Sequence, residues 1–116
     1  MAYGRPNIIE LDDIYCHTTP LFRFTVFHDG TSVVLGNYMT VRFIGKSAIN
    51  SSRTMWDASC LITDSTRGMC ECRLSLGDTT DALHSMYAEL RVEDHLLVTS
   101  DVVSQFKFDI LESLGG

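Results

Sequence analysis

Residues 69–76 read Met69-Cys70-Glu71-Cys72-Arg73-Leu74-Ser75-Leu76. Side chains alternate between the two faces of a strand, so Cys70, Cys72, Leu74 and Leu76 share one face and Glu71, Arg73 and Ser75 the other. A Cys-x-Cys pair that suggests metal or redox chemistry therefore reads first as the buried face of a half-exposed strand. The turn Asp64-Ser65-Thr66-Arg67-Gly68 leads into it.

The same alternation recurs outward from this stretch. Phe22, Phe24 and Val26 share a face within 21–27, and Met39, Val41 and Phe43 within 38–44. Trp56, Ala58, Cys60 and Ile62 do so over 56–62, and Phe106, Phe108 and Ile110 over 105–111. Asp29-Gly30 between apolar runs is a hairpin signal, and Val33-Val34-Leu35 is expected as a short strand. Residues 45–53 and 77–81 are polar and read as loops. Glu93-Asp94-His95 reads as a tight turn into a strand at Leu96-Leu97-Val98-Thr99.

Residues 79–92 fit two periods. Leu83, Met86, Tyr87 and Leu90 match a helix capped by Thr80 or Asp81, while Met86, Ala88, Leu90 and Val92 match a strand. The strand is the preferred reading, with one short helix near 79–90 as the alternative. Residues 1–13 show no clear period and read as an edge strand or an N-terminal arm. Seven or eight short strands separated by turns predict an all-β, antiparallel sandwich over residues 14–114.

The chain has 116 residues and a net charge of −6, with 45% hydrophobic and 21% charged residues. This suits one globular domain that buries roughly two thirds of its unfolded surface. The acidic balance and the scattered cations oppose binding to nucleic acid or to an anionic membrane. No secretory leader is expected from the N-terminal residues, and no segment is apolar for long enough to span a bilayer. The four cysteines are accordingly expected as free thiols.

Candidate chemistry is sparse. Cys16-His17 and Cys70-x-Cys72 contain four potential zinc ligands, but not at the spacing of a known zinc motif. No metal and no cofactor are expected. His17, His28, His84 and His95 fall mostly in or beside turns. There is no nucleophile elbow and no glycine-rich phosphate loop, so no catalytic residues are assigned. Asp12-Asp13 reads as a solvated acidic segment. Trp56 reads as a core aromatic, with an interface anchor or sugar-stacking platform as the alternative. The loop 45–53 carries Lys46 and Arg53, which are candidates for gripping a partner.

The order of several pieces is similar to that of a known family. They are Phe22-Arg23-Phe24-Thr25-Val26 with His28-Asp29-Gly30, then Val33-Val34-Leu35-Gly36 and the strand at Met39 to Phe43. Cys60-Leu61-Ile62-Thr63-Asp64 follows, with Gly68 and the Cys70 strand, then Asp78-Thr79. Tyr87-Ala88-Glu89-Leu90 with Val92 and the closing Phe106-Lys107-Phe108 complete the series. The chain thus resembles the immunoglobulin-like N-terminal domain of tailed-phage upper baseplate proteins and similar small β-sandwich proteins of phage particles. Where that family usually places a glycine just before the tyrosine, this chain has Ser85-Met86.

The resemblance implies an immunoglobulin-like sandwich and a non-enzymatic structural role in a tail, baseplate or neck. A capsid decoration protein and a carbohydrate or host-surface binding module are the alternatives. The implied partners are other virion proteins and copies of this chain, with no nucleic acid, membrane or small-molecule substrate. The implied location is the virion, made in the host bacterial cytoplasm. Ile8, Ile9 and Leu11 of the arm, with Lys46 and Arg53, are the expected interface residues, because open strand edges accept a neighbouring chain.

Overall fold

The structure is a computed structural model, and it describes residues 8–10, 14–16, 18–28, 30–46, 54–75 and 83–112. In chain order the strands are β1 (Ile8–Glu10), β2 (Ile14–Tyr15), β3 (Leu21–Thr25), β4 (Phe27–His28), β5 (Thr31–Ser32) and β6 (Met39–Lys46). They continue with β7 (Thr54–Ser59), β8 (Leu61–Asp64), β9 (Met69–Arg73), β10 (Leu83–Asp94) and β11 (Thr99–Leu111). A 3₁₀ turn at Ser65–Arg67 joins β8 to β9.

The large sheet has the order β1-β11-β10-β6-β7, with β2 also on β11. The small sheet has the order β3-β9-β8, and β4 and β5 form a separate hairpin. The Cys70 strand is the middle of the small sheet. Its pairing with β3 sets Phe22 opposite Cys72 and Phe24 opposite Cys70, which puts four of the alternating residues on one face.

The two sheets meet at Phe43, whose ring is fully buried. Its centroid lies 5.0 Å from Phe22 and 5.1 Å from Phe24 of the small sheet. It lies 5.8 Å from Trp56 and 6.1 Å from Phe106 of its own sheet. Tilted and edge-on ring pairs at these separations add to the burial of their area. Val41, Met86, Leu90, Val92, Phe108 and Ile110 extend the core.

Gly68 closes the 3₁₀ turn at φ +69°, in the left-handed region that glycine tolerates. A Cβ there would stand 2.6 Å from the Val33 carbonyl and 2.9 Å from the Val26 carbonyl. The Gly68 carbonyl in turn accepts the Val26 N–H at 2.9 Å. The β4–β5 hairpin is held against the small sheet through this point.

Several expectations are corrected. Residues 83–94 form a single strand, so the alternative helix does not occur over 83–90; residues 79–82 lie outside the described residues. Val33-Val34-Leu35 is not a strand: Leu35 is buried and donates its N–H to Ser65, whereas Val34 faces outward. Residues 56–62 are not one strand, because the chain leaves the large sheet at Cys60 and enters the small one at Leu61. The Cys60 N–H donates to Val41 at that switch.

Leu96-Leu97-Val98 is a turn rather than a strand, and the strand that starts at Thr99 runs unbroken through the expected break to Leu111. Nor is the sandwich wholly antiparallel. Both β1 and β2 run parallel to β11, with Ile8 opposite Gln105 and Ile14 opposite Ile110. The expected arm thus contributes an edge strand to its own sheet. Leu11 lies outside the described residues.

Candidate functional site

The feature least explained by folding is the end of the sandwich where β10 turns into β11. Leu96, Leu97 and Val98 of that turn are all exposed, and so are Val34 and Tyr38 of the segment leading into β6. These five make up half of the exposed large apolar side chains among the described residues, the others being Tyr15, Leu21, Phe27, Leu61 and Met69. Single exposed apolar residues need no explanation, but a cluster does.

Local chemistry fixes this turn. Asp94 Oδ1 accepts the N–H groups of Leu96 at 2.9 Å and Leu97 at 3.0 Å, which is an aspartate's usual way of closing a turn. The His95 N–H donates to the Tyr38 carbonyl at 3.0 Å, and His95 Nε2 lies 3.1 Å from Thr40 Oγ1. The turn is therefore tied to the start of β6. Val98 completes it at φ +53°, a conformation in which a β-branched residue is strained.

Between Val34, Tyr38 and Leu97 runs a groove of about 200 Å³, with Met39 and Val92 of the core in its lining and Asp94 and Asp101 also lining it. Clefts that hold small-molecule ligands are larger, roughly 300–1,000 Å³. The groove suits a single side chain better than a substrate.

A second feature is the outer face of the large sheet, where oppositely charged residues alternate across strands. Arg42 makes a two-pronged contact with Asp57 on β7 and reaches Glu93 on β10 at 3.1 Å. Lys46 pairs with Glu89 at 3.0 Å, and Arg91 binds the other Glu89 oxygen at 2.8 Å. Glu89 is only 8% exposed. Burial pushes its carboxyl pKa up, but the hydrogen bonds and charges of Lys46 and Arg91 outweigh burial and hold it below the ordinary range. Arg42, Lys46, Asp57, Glu89, Arg91 and Glu93 are thus paired with one another, which leaves these six charges little with which to recognise a partner.

The third feature is the thiol cluster. Cys70 and Cys72 are buried, and Cys60 at the sheet switch is half-buried; all are free thiols. Cys60 hydrogen-bonds with Cys70 and Cys72, and together with burial these contacts push its thiol up, while Cys70 is lowered by the bond from Cys60. No group of three or more His, Cys, Asp or Glu able to hold a metal ion occurs among the described residues. The cluster packs as core.

Of the expected interface residues, Ile8, Ile9 and Lys46 lie among the described residues. Ile8 and Ile9 lie in β1, with their backbone paired to β11. Lys46 belongs to β6, not to a loop, and its ammonium is engaged by Glu89. Leu11 and Arg53 lie outside the described residues, as does His17. Trp56 is in the core, against Phe43 and Phe108. The residues that sequence reasoning missed are Leu96, Leu97 and Val98, taken there for a strand. The signal was present in Asp94, whose place before them suits an aspartate-closed turn better than a strand entry. No protein-family model matches this chain, and no curated protein is similar to it at a significant level.

Proposed function

We propose that this chain is a structural component of a tailed-bacteriophage particle, in its tail, baseplate or neck, and acts by protein–protein contact without catalysis. The observation that carries the contact role is the gathering of exposed apolar side chains at one end of the sandwich. The phage setting comes from the resemblance of residues 20–111 to the upper baseplate domains. The fold supports such a role, because a stiff sandwich holds a small contact surface in fixed orientation at the end of two long strands.

The alternative of a sugar-binding module draws less support. Stacking on sugars needs exposed aromatics, and among the described residues Tyr38 is the one aromatic that lines the groove. No observation singles out the capsid decoration role.

Immuno-electron microscopy and quantitative mass spectrometry of particles from cells carrying the coding sequence test this reading. The expected result is a fixed copy number per particle, with label on the tail or neck. Absence from purified particles would overturn the phage assignment. Label spread over the head would favour decoration instead.

A further inference from the structure

Resting on the contact role proposed above, we infer that the groove beside the 95–98 turn receives a large apolar side chain from a different protein, one that carries Lys or Arg next to that side chain. Three observations carry this.

The first is strain. Val98 is 88% exposed and sits at φ +53°. Glycine or asparagine would occupy that position with less strain. A β-branched apolar residue held there contributes nothing to the core, so what it adds is exposed apolar surface. Strain of this kind persists only where the surroundings enforce it, and here the Asp94 and His95 hydrogen bonds do so. A rigid turn also presents its apolar groups without an ordering cost on binding.

The second is shape. Core residues Met39 and Val92 help line the groove, along with Val34, Tyr38 and Leu97. A side chain inserted there continues the core at its open end. This is the anchor-in-pocket arrangement that dominates protein interfaces.

The third is charge. Asp94 and Asp101 line the same groove, and neither is ion-paired among the described residues. Asp94 accepts only neutral N–H groups, which leaves its charge in place. A second copy docked symmetrically would bring these acids against their own images. An anionic bilayer would be repelled as well. A cationic neighbour beside the anchor complements them.

The test is a selection of short random peptides on the intact protein, whose winners are then measured on Leu97→Ser and Asp101→Asn. The expected winners carry a large apolar residue flanked by Lys or Arg. Their affinity should fall about tenfold or more in Leu97→Ser and several-fold in Asp101→Asn, and weaken with added salt. Circular dichroism and urea unfolding of each variant establish that it is folded. Winners without basic residues, or winners that bind Leu97→Ser equally well, would overturn the inference. So would concentration-dependent dimerisation that Leu97→Ser abolishes, or a turn-dependent association with phosphatidylglycerol vesicles. Particle content reads the phage assignment separately, so either idea can fail without the other.

Discussion

Val92 and Val98 belong to one hairpin and meet opposite fates. Val92 lies on β10 at 2% exposure, opposite Asp101, and completes the inner face of the large sheet. Val98 lies in the turn at 88% exposure, in a backbone conformation that valine disfavours. The first is placed by the period of a strand and held by burial. The second is placed by the bonds that Asp94 accepts from Leu96 and Leu97 and that the His95 N–H donates to Tyr38, which do not depend on its own side chain. The fold rests on residues of the first kind, and the proposed function on residues of the second.

The comparison breaks most visibly at the centre of the core. Phe43→Ala removes the ring shared by both sheets and should destabilise by about 3–5 kcal/mol, read as a lower urea midpoint. A loss below about 1 kcal/mol would mean the sheets do not meet there. Gly68→Ala comes next. Positive φ and two nearby carbonyls should together cost roughly 2 kcal/mol, and the melting temperature should fall accordingly.

Glu89→Gln sharpens the contrast on the charged outer face. Replacing the carboxylate leaves Lys46 and Arg91 partly unmatched and should cost about 1–2 kcal/mol near neutral pH. Its pH dependence has a definite sign. The folded carboxyl is held below its ordinary value, so as pH falls the unfolded chain takes up the proton first. The stabilisation is complete above the ordinary glutamate range and is lost as pH falls through the lowered folded value. Urea midpoints of the wild type and the variant should therefore converge at acidic pH. A gap that widens there would contradict the pairing.

At the turn the expected effects are smaller, and one reverses sign. Val98→Gly relieves the left-handed strain and should stabilise by about 1 kcal/mol, the relief being larger than the added backbone freedom. Leu97→Ser should leave stability within about 0.5 kcal/mol, as for an exposed position away from packing. Both should weaken binding of the selected peptides.

Much of the core was legible in sequence. Phe22, Phe24, Met39, Val41, Phe43, Met86, Ala88, Leu90, Val92, Phe106 and Phe108 all sit where period 2 put them, because one buried face enforces strict alternation. What was not legible depends on events that leave no period. The switch of sheets at Cys60 rests on a single backbone bond to Val41. The parallel seating of β1 and β2 on β11 depends on which edge is open, which is a property of the whole sheet. Leu96-Leu97-Val98 is an unbroken apolar run, and such a run reads alike as a buried strand or a displayed turn. Only the position of Asp94 distinguishes them. The candidate site was therefore the least readable part of the chain.

The most direct test pairs urea unfolding with peptide binding for the double variant Leu97→Ser, Val98→Gly. The account predicts a protein at least as stable as the wild type that no longer binds the selected basic, apolar peptides. A double variant that unfolds at markedly lower urea would contradict it, by showing that the turn belongs to the fold and not to a contact surface.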